Sequence, residues 1–262
     1  MGTTLTLDDE ADVDVSPTGS PCNLWRLHSD AVNARWLTPH LSGQAIERVL
    51  KTDVFDEAQT DGLYPLLSAR AGRVFGVDLS ARMLAAARAR FAQLHGIQAD
   101  VRWLPCGDAV FDAVVSNSTL DHFASVADIA TGLAELYRVL RPGGQLLLTL
   151  DNRANPAVAL RNALPFRLLN RLGIVPYSIG ATCGPRRLRR LVEQAGFEVT
   201  ELGAILHCPR VVAVAVTRLL DEYASAQMQR GILRWLTAFE RAATWRTRFV
   251  TGYFVALVAY KR

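Results

Sequence analysis

A short apolar run that ends in an acid is the first stretch of this sequence that could do chemistry. It covers residues 73–80 and reads RVFGVDLS. Such a run is typical of a buried parallel strand, and an acid at its carboxyl end lies where open α/β sheets bind ligands. An ionised carboxylate only accepts hydrogen bonds, so Asp78 suits a ligand with two hydroxyls, such as a ribose. An ordinary strand–turn–helix with Ser80 as the helix cap explains the same pattern.

Alternating strands and helices are predicted around this acid. The strands are expected at residues 48–50, 73–78, 111–117, 145–150, 197–202 and 252–260, with a short third strand or a strand end at 100–103. The helices between them are expected at residues 63–71, 81–95, 128–140 and 185–195, with an earlier helix at 24–37. This alternation predicts βαβ units and a mostly parallel sheet.

The organisation of the chain favours one domain. Residues 1–20 contain five acids and no base, so we predict a disordered acidic tail over residues 1–21. The remaining residues, 22–262, are long and apolar enough for a single α/β domain. Two stretches interrupt its alternation, at about 152–184 and 210–248, and we interpret them as helical lid insertions.

Composition argues against several classes of function. The apolar runs are shorter than the roughly 18 residues of a membrane span, and the start lacks the pattern of a signal peptide. We therefore expect a cytoplasmic protein without a transmembrane segment. The four cysteines lack metal-ligand spacing, so no metal site is expected. The arginines are dispersed without interleaved aromatic residues, so no nucleic-acid partner is expected.

Four motifs, met in order along the chain, resemble the class I S-adenosylmethionine-dependent methyltransferases of the type 11 kind. They are VFGVDLS at residues 74–80, DVRWLP at 100–105, FDAVVSNSTLDHF at 111–123 and ELYRVLRPGG at 135–144, the last being the most specific. The resemblance implies an α/β, Rossmann-like methyltransferase fold, with a mostly parallel seven-stranded sheet and helices on both faces. It also implies S-adenosyl-L-methionine as the cofactor.

The resemblance assigns cofactor-binding roles to residues of this chain. Asp78 would bind both ribose hydroxyls, and Leu79 would flank the adenine. Asp100 would accept a hydrogen bond from the adenine amino group, and the backbone N–H of Val101 would meet a ring nitrogen. Asn117 would end the strand beside the methyl donor.

The first motif of this family is altered here. The family pattern is Val-Leu-Asp-x-Gly-x-Gly-x-Gly, whereas residues 49–62 read VLKTDVFDEAQTDG. Lys51 replaces the acid, the loop is a few residues longer, and Gly62 stands at about the position of the last glycine. Two readings stay open at this point: the site has lost affinity for the cofactor, or the cofactor's ammonium is recruited by acids of the loop, Asp53, Asp56 or Glu57.

Asp121 and His122 directly follow the fourth predicted strand and are the candidate catalytic residues. His122 has the right range of pKa for a general base, although a histidine that only packs or caps a turn explains the same position. Asp151, at the end of the fifth strand, could border the acceptor pocket.

We therefore predict an S-adenosylmethionine-dependent methyltransferase (EC 2.1.1.-) that acts on a small, hydrophobic acceptor, lipid-like acceptors included. The alternative, suggested by the altered first motif, is a non-catalytic methyltransferase-like binding or partner protein. The sequence leaves the acceptor, the methylated atom and the oligomeric state open.

Overall fold

A computed structural model describes residues 23–43, 45–171, 180–221, 223 and 225–262. Within these residues one sheet contains the strands β1 (Ile46–Lys51), β2 (Ala71–Asp78), β3 (His95–Gln98), β4 (Phe111–Asn117), β5 (Leu140–Asp151), β6 (Phe197–Ile205) and β7 (Phe254–Lys261). Their order is β3-β2-β1-β4-β5-β7-β6. Neighbours are parallel except at β7, which runs antiparallel to β5 and β6. The prediction of a mostly parallel seven-stranded sheet is confirmed.

Helices cover both faces of this sheet, as predicted. The described residues contain the helices α1 (Asn23–His40), α2 (Phe55–Gln59), α3 (Tyr64–Ser68), α4 (Ala81–Arg90), α5 (Val126–Val139), α6 (Pro156–Ala163), α7 (Phe166–Arg171), α8 (Pro185–Gln194), α9 (Arg210–Asp221), α10 (Ala226–Ala238) and α11 (Arg248–Thr251). Neighbouring strand residues point to opposite faces. Leu50 accordingly packs in the core beside α5 and α8, and Val49 packs in the core beside α1, α3 and α4.

The predicted third strand was wrong, and so was the end of the helix before it. The helix predicted at residues 81–95 ends at Arg90, and the strand is His95–Gln98. His95 and Gly96 pair with β2, and the space beside Gly96 is filled by the side chains of Leu84 and Arg88. Residues 101–103 form a turn instead of a strand. The apolar spacing at Phe91 and Leu94 resembled a longer helix, but these side chains pack into the core from a turn.

Other boundaries differ by a few residues. The loop at residues 51–62 contains the short helix α2, and the helix predicted at 63–71 is α3, after which β2 begins at Ala71. Strand β5 begins inside the motif at residues 135–144, at Leu140, and passes through Gly143 at a φ of +77°. That left-handed conformation favours glycine. The insertion at 210–248 is helical, as expected.

The predicted disordered tail at residues 1–21 lies outside the described residues, and so do residues 172–179 of the first predicted lid. The single-domain organisation and the role of the insertions as lids stay predictions. Among the described helices, none is both long and apolar enough to cross a membrane.

The motif at residues 135–144 ties the chain together on one side of the sheet. The Arg138 guanidinium donates to the carbonyls of Leu104 at 3.1 Å and Cys106 at 2.7 Å, and pairs with Glu135 at 2.8 Å. Glu135 in turn accepts from the Leu104 N–H at 3.1 Å. Helix α5 therefore holds the loop between β3 and β4, which contains the predicted adenine-binding residues Asp100 and Val101.

Candidate functional site

Asp78 ends β2 at the carboxyl edge of the sheet. One carboxylate oxygen accepts from the Ser80 N–H at 2.8 Å, and the other accepts from the Val54 N–H at 3.2 Å. Burial raises the pKa of Asp78, although these two N–H groups oppose that shift. Each carboxylate oxygen has two lone pairs. Both oxygens can therefore accept a further hydrogen bond from a ligand hydroxyl.

Lys51 ends the neighbouring strand, β1, and its ammonium is buried. The Nζ atom lies 2.9 Å from a Glu57 carboxylate oxygen, 3.4 Å from an Asp53 carboxylate oxygen and 2.8 Å from the Asp53 carbonyl. Only 3% of the Lys51 side chain and 1% of the Glu57 side chain are exposed. Burial alone would lower the pKa of Lys51, but the carboxylates of Asp53 and Glu57 outweigh it and raise the pKa. The ammonium is thus charged and paired.

Glu57 also shapes the loop that replaces the family's glycine-rich turn. Its second carboxylate oxygen accepts from the Leu63 N–H at 2.9 Å. Gly62 precedes Leu63 with a φ of +51°, and a Cβ atom at this position would lie 2.6 Å from the Glu57 carboxylate. A glycine is required here by both the left-handed backbone and the close approach of Glu57. Gly62 therefore closes the loop around Glu57.

Helix α1 contributes two charged residues that sequence reasoning missed. The Arg26 guanidinium pairs with Asp56 at 2.8 Å and lies over the Phe55 ring at 5.1 Å. One turn further along α1, Asp30 is half-buried. Burial, followed by the charges of Asp56 and Glu57, raises the pKa of Asp30 to about 7. The spacing of Arg26 and Asp30, four residues on one helix, places them on one face, but the residues that they interact with lie in the loop at residues 51–62.

The loop and α1 together carry an excess of negative charge. Burial raises the pKa of Asp56 and Glu57 as well as that of Asp30. Burial is the largest cause of these raised pKa values, and the charges of neighbouring acids add to it. A ligand cation nearby would favour the ionised carboxylates and be bound by them. The cluster consists of four acids, Asp30, Asp53, Asp56 and Glu57, and two bases, Arg26 and Lys51.

Hydroxyl groups join this cluster to the end of β4. Thr119 Oγ1 donates to the Asp53 carboxylate at 2.7 Å and lies 2.7 Å from Thr52 Oγ1. The carboxyl ends of β1 and β4 are therefore linked through side chains. Asn117, predicted to face the cofactor, uses its carbonyl oxygen to accept from Thr149 Oγ1 at 2.8 Å.

Asp100, predicted to bind adenine, lies in the turn after β3. Both carboxylate oxygens accept from the Arg102 side chain, at distances from 2.6 to 3.1 Å. Burial alone would raise the pKa of Asp100, but the hydrogen bonds from Arg102 outweigh it and lower the pKa. Val101 is buried beside it, whereas Leu79 and Trp103 are 53% and 72% exposed. The structure therefore places two uncovered apolar side chains on the segments predicted to hold the adenine.

The predicted catalytic pair separates in the structure. Asp121 is buried and accepts from Ser118 Oγ at 2.8 Å and from the Asp151 N–H at 3.1 Å. His122, the next residue in the short turn Leu120–His122, is exposed. Asp121 is therefore built into the edge between β4 and β5, while the imidazole faces outward.

Asp151 is a second buried acid beside Asp121. It pairs with the guanidinium of Arg161, which also donates to the Tyr253 hydroxyl at 2.8 Å. Burial, together with the neighbouring charge of Asp121, raises the pKa of Asp151 to about 6. The remaining oxygens, Oδ1 of Asp121 and Oδ1 of Asp151, are buried without a hydrogen-bond partner among the described residues.

Comparisons with known proteins agree with this architecture. The family model described as a methyltransferase domain matches residues 60–148. The demethylmenaquinone methyltransferase of Thermus thermophilus is 32% identical over 194 residues, which are 66% of this chain and 86% of that protein. The chain belongs to the class I S-adenosylmethionine-dependent methyltransferases. Its sheet order and its four motifs, interpreted above as a resemblance, are those of this family, and the family's cofactor is S-adenosyl-L-methionine.

Of two further similarities, one is confined to a short segment and the other is distant in sequence. The malonyl-[acyl-carrier protein] O-methyltransferase of Enterobacter lignolyticus is 46% identical over 76 residues, so this chain spans 29% of that enzyme's length. The crystal structure of the [4+2]-cyclase SpnF has a TM-score of 0.58 at 17% identity, covering 87% of this chain and 80% of that one. At that identity the likeness concerns the fold alone.

The residues at the carboxyl edge fit S-adenosyl-L-methionine despite the missing glycines. Asp78 keeps free lone pairs for a ribose diol, and the acidic cluster at β1 suits a cationic ligand. The individual assignments of Asp53, Asp56, Gly62, Asp78, Leu79, Asp100, Val101 and Asn117 stay predictions, as do those of Asp121 and His122.

We expect replacement of Lys51 by methionine to destabilise the protein by about 3–5 kcal/mol, because Glu57 and Asp53 would keep buried charges without a partner. Adding Glu57→Gln should recover a large part of this loss, since the amide is neutral and still accepts from Leu63. Urea unfolding of the two single variants and the double variant measures the coupling.

The control is Arg189→Met, which breaks the exposed pair with Glu193 and should change stability by less than about 1 kcal/mol. Additive effects of the two buried substitutions would contradict the ion pair.

The free energy of unfolding should depend on pH through Asp151. Its pKa is raised to about 6 in the folded protein, so the folded state holds this proton more tightly than the unfolded chain. The contribution of Asp151 to stability therefore falls by about 2 kcal/mol as the pH rises from about 4 to about 6. Asp151→Asn removes this contribution and should gain relative to wild type over that range.

Urea unfolding of wild type and Asp151→Asn at pH 4, 5, 6 and 7 measures this difference directly. The charged groups that act on Asp151 are Asp121, Arg161 and Arg210, and the variant leaves all three in place. A stability difference that stays constant from pH 4 to pH 7 would show that the Asp151 carboxyl titrates normally.

Proposed function

We propose that this chain transfers a methyl group from S-adenosyl-L-methionine to a small, hydrophobic acceptor. The observation that carries the proposal is Asp78, a carboxylate at the edge of a class I methyltransferase sheet with free lone pairs on both oxygens. When bound, the cofactor supplies an electrophilic methyl group on a sulfonium. The protein must then bind the acceptor in line with that methyl group and exclude water.

The cofactor-binding residues lie along the ends of β1, β2 and β4. Asp78 holds the ribose hydroxyls. Asp53 and Asp56 attract the ammonium of the methionine half, with Asp53 oriented by Lys51 and Thr119. Asn117, oriented by Thr149, ends β4 beside the methyl group. The charges of loop and α1 thereby replace the backbone cradle that glycines form in relatives.

Leu79, at the carboxyl end of β2, would flank the adenine. The Val101 N–H would donate to a ring nitrogen, and Asp100 would accept from the amino group. Arg102 donates three N–H groups to Asp100, from its backbone N, Nε and Nη2. A carboxylate has about four acceptor positions, so one position is left for an adenine amino group. Arg102 then acts as the residue that orients Asp100.

The acceptor lies over the ends of β4 and β5. His122 is the exposed titratable group at this edge and acts as the general base for an acceptor that loses a proton. Asp121 acts as a positioning residue, because it holds Ser118 and the Asp151 backbone. A reduced quinone is the acceptor class that we favour, since a relative that matches 66% of this chain carries the name demethylmenaquinone methyltransferase.

A second candidate is a non-catalytic methyltransferase-like binding protein. The altered loop at residues 51–62 favours it, because an ammonium, that of Lys51, lies where relatives have an acid. In that case the ion pairs of the loop stabilise the fold without a cofactor. Binding of the cofactor separates the two candidates.

We expect isothermal titration calorimetry to show that S-adenosyl-L-methionine binds the wild-type chain. Asp78→Ala should weaken this binding about a hundredfold, because two hydrogen bonds to a charged group are lost. The control is Asp61→Ala, which alters an exposed acid of the same loop and should bind like wild type. Wild type that fails to bind at millimolar cofactor would favour the non-catalytic candidate. Equal affinities of wild type and Asp78→Ala would contradict the ribose assignment.

Replacement of His122 by alanine should lower kcat by about 10²–10⁴-fold with demethylmenaquinol as the acceptor, because the base that takes the proton is lost. The affinity for S-adenosyl-L-methionine should stay unchanged, since His122 is assigned to the acceptor side. Formation of S-adenosylhomocysteine against pH measures both the rate and the pKa of the base. Full turnover of His122→Ala would rule out His122 as an essential base. Inactivity of wild type with demethylmenaquinol would contradict the assignment of a quinol acceptor.

A further inference from the structure

Helix α9 turns an apolar face to the outside of the molecule. Val211, Val212 and Leu219 are 66%, 56% and 73% exposed, and Ala215 is also exposed. Their spacing places them on one side of the helix. The opposite side of the helix is buried at Ala213 and Thr217, and α9 packs against α1. A surface helix normally exposes a polar face, so nothing among the described residues explains this outward apolar face.

Exposed apolar side chains are also frequent in the residues that follow α9. Eight of the fifteen large apolar side chains that are exposed among the described residues lie between positions 211 and 250. Scattered exposed apolar residues are ordinary, but such a concentration marks an interaction surface. Three of the eight are amphipathic aromatic residues, which are enriched where a polypeptide meets lipid headgroups: Tyr223, Trp235 and Trp245.

This region is also basic. Residues 210–251 contain seven arginines and three acids. One of the acids, Glu240, accepts hydrogen bonds from the backbone N–H groups of Leu206 and His207, at 3.2 and 2.8 Å. Exposed arginines lie among the exposed apolar side chains, namely Arg218, Arg230, Arg234, Arg241 and Arg246. A partner of this surface must therefore be both apolar and negatively charged.

We propose that α9, α10 and the residues up to Val250 form a surface that docks on an anionic lipid bilayer, here called the lipid-docking surface. Apolar side chains of amphipathic helices enter the boundary between headgroups and acyl chains, and arginines bind anionic headgroups. A bilayer satisfies both requirements of this surface at once. The association is peripheral, with the helices lying in the plane of the membrane.

The lipid-docking surface is connected to the acceptor side of the site. Arg210, the first residue of α9, lies over the Tyr253 ring at 4.5 Å. The Tyr253 hydroxyl accepts from Arg161, and Arg161 pairs with Asp151 at the end of β5. A continuous chain of side-chain contacts therefore joins the start of the lipid-docking surface to the end of β5. The docking itself does not depend on the acceptor or on methyl transfer.

Co-sedimentation of the full chain with vesicles tests this proposal. Vesicles of phosphatidylglycerol and phosphatidylcholine should bind the chain at least tenfold more tightly than vesicles of phosphatidylcholine alone, and added salt should weaken the binding. Leu219→Asp should weaken it about tenfold or more, because one apolar anchor is lost and an anion is added. Arg234→Glu should weaken it by at least about fivefold. Arg190→Glu, on an exposed face of α8, is the control and should bind like wild type.

Two further measurements keep the outcome clear. Thermal unfolding should show the same Tm for wild type and Leu219→Asp, because Leu219 is exposed. Sedimentation velocity without lipid reports whether a second copy of the chain covers the surface instead. The proposal is overturned by absent binding to the anionic vesicles, by equal binding of wild type and Leu219→Asp, or by a dimer that Leu219→Asp dissolves.

Discussion

The buried ammonium of Lys51 is the constraint on which the cofactor side of this protein depends. At the end of β1 it pairs with Glu57 and Asp53, and it cannot be buried without them. Glu57 then accepts from Leu63, which requires glycine at position 62. One buried charge thereby dictates the path of the whole loop that relatives build from glycines.

The same charges extend the site beyond the common core of the family. Asp56, in the loop, pairs with Arg26 of α1, and Asp30 of the same helix is shifted by the loop's acids. Helix α1 is therefore part of the cofactor side and not only a cover for the sheet. On its other side α1 packs against α9 and α10, so it lies between the proposed cofactor site and the lipid-docking surface.

Sequence patterns predicted the parts of this protein that depend on local rules. The strand Phe111–Asn117 was predicted with the observed bounds, because its residues are mostly apolar and all but the last are buried. The strand at residues 100–103 was wrong, because the turn there is set by the pairing of Asp100 with Arg102 and the true strand by pairing with β2. Asp78 was found because strand, acid and helix cap are contiguous, whereas Arg26, Asp30 and Arg161 act on residues far away in the chain.

The sequence by itself determined the class of sheet, the family and the acid at the end of β2, since each rests on patterns that are local, either within one short segment or in several segments met in order along the chain. The tertiary structure decided what the altered first motif is. It is an ion-paired loop, because Lys51, Asp53 and Glu57 are brought within hydrogen-bonding distance only when the loop folds back over β1. It also decided that Asp121 is buried while His122 is exposed, because adjacent residues in a tight turn point in different directions.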